Sequence, residues 1–265
     1  MSVTECKYND NEESDTCCLC KKYAGYNRLY NEDGTEDMME NIVMGDYKFS
    51  FHAGSVKGDT IIDVNLCLFR FPLFVAADYF KNIIKIESSD CSVEEIQKWI
   101  KKEPGAVDKS HLAMLACALK GKSTGWKEQE DKLRGAIKQI IKWDIEEENP
   151  LGSVVLPQVD CLISVVYIES VCKDHNKYFK VLKHFSSLLK TGGHLILIAP
   201  INTTYYTVGQ HKFSVLKCDE VFVQKAVGDT GFIVKSTDRI ERKCNYVLAD
   251  YEYLACIVAY KEREI

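Results

Sequence analysis

Thr60-Ile-Ile-Asp-Val64 followed by Asn65-Leu-Cys-Leu68 is the stretch that decides the fold. The first five residues are a short, β-branched run, as a buried parallel strand tends to be. Three similar runs follow at wide intervals: Ile83-Ile-Lys-Ile86, Cys161-Leu-Ile-Ser-Val-Val-Tyr-Ile168 and His194-Leu-Ile-Leu-Ile-Ala199. Helical patterns fill the gaps. Ser92 opens one, with Glu95 three positions on in a capping-box arrangement and Pro104-Gly105 at its end. Leu133, Ala136, Ile137, Ile140 and Ile141 recur at helical spacing and predict a long helix over 127–142. Phe179, Leu182, Phe185, Leu188 and Leu189 predict another over 176–190, closed by the turn Lys190-Thr-Gly-Gly193. A helix over 220–227 and two strands, 232–237 and 252–260, complete the chain. Strand–helix alternation ending in a strand pair predicts an α/β domain whose mostly parallel sheet carries helices on both faces and an antiparallel C-terminal edge.

Composition sets the class. The chain has 265 residues, of which 46% are hydrophobic, enough for a buried core. Its net charge of −5 advertises no polyanion-binding surface, which argues against nucleic acid as partner. No apolar stretch approaches bilayer-spanning length, and the acidic start of the chain has no signal-like apolar core. A cytoplasmic protein, monomeric and without membrane partner, is the expectation, with its twelve cysteines reduced. Cys6, Cys17, Cys18 and Cys20 cluster near the N-terminus, yet no second ligand pair follows downstream; packing or surface cysteines are favoured over metal. Residues 1–55 read as a polar, partly helical leader, and 56–265 as the domain proper.

In an open parallel sheet a ligand binds outside the carboxyl ends of the strands, where strand order reverses. The loop after Val64 and the acid Glu87 at the end of the second strand are therefore the places to look. An acid there can accept hydrogen bonds from ribose hydroxyls; taken alone, it is more readily a solvated strand-end charge.

Several blocks sharpen this reading: Val56-Lys-Gly-Asp-Thr-Ile-Ile-Asp63, Gln97-Lys-Trp-Ile-Lys-Lys-Glu-Pro-Gly-Ala106, Pro150-Leu-Gly-Ser153, Leu188-Leu-Lys-Thr-Gly-Gly-His-Leu195 and Tyr206-Thr-Val-Gly-Gln-His-Lys-Phe-Ser214. With them the chain resembles the small-molecule N-methyltransferases that act on nicotinamide, phenylethanolamine and indolethylamine, the indolethylamine branch most of all. The resemblance runs from about Val56 to the C-terminus. It implies a class I methyltransferase (Rossmann-like) fold, S-adenosyl-L-methionine as cofactor and a small amine as substrate. Carried over residue by residue, it implies cofactor-binding roles for Tyr26, Tyr30, Asn65, Phe71, Glu87, Ser92, Asp144, Ile145 and Val165. It places Glu169, Thr203 and Tyr206 at the acceptor, with Glu169 as the catalytic carboxylate that orients the amine. A partner for nearby backbone or lysine is the other reading of Glu169. The sequence also departs from the family. Asn65-Leu-Cys-Leu68 stands where the family has glycines, although Asn65 tolerates a left-handed backbone. Phe71 replaces a tyrosine, Ser88 replaces an aromatic residue, and Ala199-Pro-Ile-Asn-Thr203 lacks a carboxylate found in some branches. Two functions follow: an N-methyltransferase, or a catalytically impaired homologue that serves as a binding or interaction protein.

Overall fold

The computed structural model describes residues 56–65, 71–208, 211–242 and 249–263. The leader, with Tyr26, Tyr30 and the four N-terminal cysteines, lies outside them, as do Leu66, Cys67 and Leu68. Nine strands are present among the described residues: β1 (Thr60–Val64), β2 (Asn82–Glu87), β3 (Ile137–Lys142), β4 (Val159–Val165), β5 (Leu189–Pro200), β6 (Tyr205–Val208), β7 (His211–Ser214), β8 (Phe232–Glu241) and β9 (Tyr253–Lys261). Seven form one sheet in the order β3-β2-β1-β4-β5-β9-β8, while β6 and β7 pair separately. The first five are parallel, and β9 runs antiparallel to both β5 and β8. The expected antiparallel edge is present. The chain steps outward from β1 to β2 and β3, then returns to place β4 on the other side of β1, so strand order reverses between β1 and β4.

Helices α1 (Phe71–Ala76), α2 (Asp90–Lys101), α3 (Ser110–Leu119) and α4 (Trp126–Ala136) supply the core of one face, through Phe74, Trp99, Leu112 and Leu133 against Ile61 and Ile83. The other face is covered by α6 (His175–Leu188) and α7 (Glu220–Asp229), with Tyr178, Phe185 and Val223 against Ile62, Ile84 and Leu162. A one-turn helix, α5 (Ile168–Val171), follows β4. Side chains alternate along a strand. The odd-numbered residues of β1 and β2 therefore face the α1–α4 layer.

Three sequence expectations are corrected. The long helix over 127–142 is two elements: α4 ends at Ala136, and Ile137–Lys142 is β3, paired in parallel with β2. The ladder Lys85–Ile140, Ile86–Ile141 and Glu87–Lys142 satisfies that backbone, and β-branched residues suit a pleated surface better than a helix. The cap of α2 is Ser89, whose Oγ accepts the Ser92 N–H at 3.1 Å. Glu95 reaches forward instead, and its Oε1 accepts the Val107 N–H at 2.9 Å. The helix stops at Lys101, with Lys102 in the left-handed region, two residues ahead of Pro104. The third run, extended over 161–168 by expectation, leaves the strand at Val165 and is helical from Ile168.

Candidate functional site

Period-2 alternation puts Ile61, Asp63 and Asn65 on one face of β1, and Ile83, Lys85 and Glu87 on the same face of β2. Each face is apolar at its amino end and polar at its carboxyl end. Register sets Asp63 directly beside Lys85. The Lys85 ammonium lies 2.6 Å from Asp63 Oδ2 and 2.9 Å from Glu87 Oε1. It also donates to the Asn65 carbonyl at 3.2 Å. All four residues are buried. Burial pulls the lysine down, but the Asp63 and Glu87 carboxylates outweigh it and hold the ammonium above the ordinary lysine range. Two carboxylates and one ammonium leave the cluster a formal charge of −1. The lysine stem borders a small cavity with Phe74, Ile96 and Trp99, so the apolar part meets the core and the charged head meets the strand ends.

Asn65 links this cluster to β4. Its amide donates to Asp63 Oδ1, and its Oδ1 accepts the Val165 N–H. The side chain thus continues the β1–β4 ladder beyond Asp63–Ile163, at the point where strand order reverses. The left-handed backbone that Asn65 tolerates is not used here: the non-glycine residues with positive φ among those described are Lys102, Val166 and Asn202. Val166, immediately after β4, has φ of 51°. A β-branched residue there stores strain of roughly 1–3 kcal/mol, and such strain gathers at functional sites. Its backbone is held on both sides, by the Val166 N–H to the Ile198 carbonyl at 2.8 Å and by Ser170 Oγ donating to the Val166 carbonyl at 2.9 Å.

The remaining sequence-derived residues divide by location. Phe71 opens α1. Ser92 is buried in the first turn of α2. Trp143 extends β3; its N–H donates to the Glu87 carbonyl at 2.9 Å and its indole N–H to the Tyr167 hydroxyl at 2.7 Å. Asp144 is exposed and shapes the next loop, its Oδ1 accepting the Glu146 N–H at 2.9 Å while its own N–H donates to the Pro150 carbonyl. Ile145 is half-buried against the second face. Asn65, Glu87 and Val165 are therefore brought together, with Asp144 and Ile145 beside them along the edge.

Glu169 belongs to the α6 side. Its side chain is fully enclosed, and Oε1 accepts the Tyr178 hydroxyl at 3.0 Å. Burial pushes its carboxyl up to about 7, opposed by its own backbone N–H and then by the Tyr178 hydroxyl. Thr203 and Tyr206 lie on the chain leaving β5. Thr203 Oγ1 donates to Asp250 Oδ1 at 3.1 Å, and Asp250 also accepts the Thr204 and Tyr205 N–H groups at 2.7 and 3.1 Å. Tyr206 stacks on Phe213 across the β6–β7 pair, with ring centroids 5.2 Å apart.

Sequence reasoning missed Lys85, Asp63 and Asp250. The signal for Lys85 was a cation two residues before the strand-end acid, hence on the same face. Asp250 carried no local signal, because its partners stand 45 to 47 positions away. Among the described residues, no group of three or more His, Cys, Asp or Glu could hold a metal ion, and no helix is long and apolar enough to cross a membrane.

A profile of the NNMT/PNMT/TEMT family matches residues 20–262, reaching well into the leader that the sequence blocks had matched only loosely. The chain is 36% identical over 211 residues to nicotinamide N-methyltransferase of Homo sapiens, covering 80% of each chain. It is 35% identical over 207 residues to indolethylamine N-methyltransferase of Mus musculus, covering 78% of this chain and 76% of the relative. These identities do not separate the nicotinamide and indolethylamine branches. Among solved structures, magnesium protoporphyrin IX methyltransferase from Synechocystis PCC 6803 with bound SAM shares the fold, with a TM-score of 0.54 and 13% identity over 98% of this chain and all of that one.

Proposed function

This chain belongs to the NNMT/PNMT/TEMT family, and from that premise we propose how its own residues serve an S-adenosylmethionine-dependent N-methyltransferase. The observation that carries the reading is the buried polar cluster at the carboxyl ends of β1 and β2, beside the reversal of strand order. This is where a doubly wound sheet holds a nucleoside. The donor set fits. An ionised glutamate accepts and does not donate, which suits two ribose hydroxyls. Asp144 and Ile145, one polar and one apolar, follow β3 and would hold the base of such a nucleoside.

When bound, S-adenosylmethionine supplies a methyl group on a sulfonium, activated for displacement by a nitrogen lone pair. The chain's task is then orientation and the management of one proton. Glu87 holds the ribose. Asn65 closes the gap between β1 and β4, so the cofactor loop starts from a fixed point. Glu169 acts on the acceptor side: a carboxyl that titrates near 7 can hold an amine by a charge-assisted hydrogen bond and take the proton that the nitrogen sheds. Thr203 and Tyr206 form the acceptor wall, Thr203 set by Asp250, which also accepts the Tyr205 N–H, and Tyr206 by stacking on Phe213. The acceptor is a small amine.

The test is methyl transfer from labelled S-adenosylmethionine to a panel of small amines that includes nicotinamide and tryptamine. Transfer to at least one amine, with kcat lowered roughly 10²-fold or more in Glu169→Gln, is the expected result. Unchanged kcat in that variant would remove Glu169 from the reaction.

A further inference from the structure

We propose that Lys85 is a positioning residue for the nucleoside: its ammonium fixes the Glu87 carboxylate, ionised and in one orientation, at the strand edge that receives the ribose. The inference rests on the reading of Glu87 given above. An ammonium has three donors, and here Asp63, Glu87 and the Asn65 carbonyl accept from it, at 2.6, 2.9 and 3.2 Å. With its donors so engaged it is suited to fixing geometry, not to moving a proton. Without the cation, Asp63 and Glu87 would face each other as like charges, and one would tend to protonate. A protonated Glu87 would give up part of its acceptor capacity toward hydroxyls. A glutamate side chain also has several torsions to fix before its carboxylate holds one orientation. The lysine removes that freedom before the ligand arrives, which is the general route by which preorganisation raises affinity.

The same ammonium ties the ribose acid to the turn after β1. Lys85 holds the Asn65 carbonyl, and the Asn65 side chain holds Asp63 and the Val165 N–H. Where glycines are missing, a polar clamp sets the start of the loop. Lys85 interrupts an apolar strand and lines a small, largely apolar cavity with Phe74, Ile96 and Trp99, surroundings that would accept a methionine.

Calorimetric titration of Lys85→Met with S-adenosylhomocysteine and with its 2′,3′-dideoxy analogue tests this. The double variant Asp63→Asn/Lys85→Met removes an acid with the base and so keeps the formal charge of −1; it carries the comparison if the single variant does not fold. The expected result is S-adenosylhomocysteine affinity roughly tenfold or more weaker than wild type, the scale of a charge-assisted hydrogen bond, with the dideoxy ligand changed less than about twofold. Equal loss for both ligands would show a general structural role and overturn the proposal. So would unchanged affinity for S-adenosylhomocysteine, which would leave the cofactor reading standing. Absence of binding by the wild-type chain would overturn both.

Discussion

Glu169 connects burial to pH. Its carboxyl moves from the ordinary 4.5 to about 7 because it is enclosed. Between those values the folded chain binds one proton more than the unfolded chain, so stability is fully present below about 4.5 and is lost as pH rises through about 7. The loss amounts to about 3 kcal/mol, at roughly 1.4 kcal/mol per unit. Glu169→Gln should remove this slope: its thermal midpoint should gain on the wild type between pH 5 and pH 8, and parallel curves would refute the assignment. Asn65 gives a second test at this scale. Asn65→Gly deletes the bonds to Asp63 and to the Val165 N–H, leaving buried groups unpaired. It should lower stability by about 1–3 kcal/mol, read as a fall in the urea midpoint. The identities of Glu87, Asn65 and Glu169 were legible in the sequence, through resemblance. Lys85 was not, because an apolar run with one lysine reads as a strand with one outward residue. Only the pairing of Asp63 with Lys85 turns that lysine inward.

Elements were legible where local pattern and tertiary pairing agree. β1 matches its sequence run from Thr60 to Val64, and α6 and α7 begin within a residue of expectation, capped by Asp174 and Asp219. β3 was misread because Ile137, Ile140 and Ile141 prolong the helical spacing of Leu133 and Ala136. Helical period and a β-branched run coincide there, and pairing with β2 decides between them. The β6–β7 pair went unread for the opposite reason: its strands are four residues each, too short for a period to register. The entry to β1 shows how tightly the elements are joined. Asp160 Oδ2 accepts the Asp59 and Thr60 N–H groups at 2.8 and 3.0 Å, and a Cβ on Gly58 would stand 2.3 Å from the Asp160 Cβ. Gly58→Ala should therefore displace Asp160 and cost about 1–3 kcal/mol, the scale of an overpacked contact. A denaturation midpoint equal to wild type would show that the β1–β4 junction can shift without loss.

At the scale of the molecule, the parallel half of the sheet builds the site and the antiparallel half closes the core. Strand order reverses between β1 and β4, and the charged cluster lies on the β1–β2 side of that reversal. The residues proposed for the acceptor side come from segments after β4 and β5. Family membership extends over both halves. The fold class was readable from the order of strands and helices, since four buried strands alternating with helices and closed by a strand pair admit few topologies. The proposed site was less readable, because the residues assigned to it come from segments widely separated in the chain. The central claim is that the strand-end carboxylate of Glu87 holds the cofactor's ribose. Calorimetric titration of the wild-type chain and of Glu87→Ala with S-adenosylhomocysteine tests it most directly. Wild-type binding that weakens roughly tenfold or more in the variant is the predicted result, as expected when a charged hydrogen-bond acceptor is lost. Equal affinities, or no binding by the wild type, would contradict it.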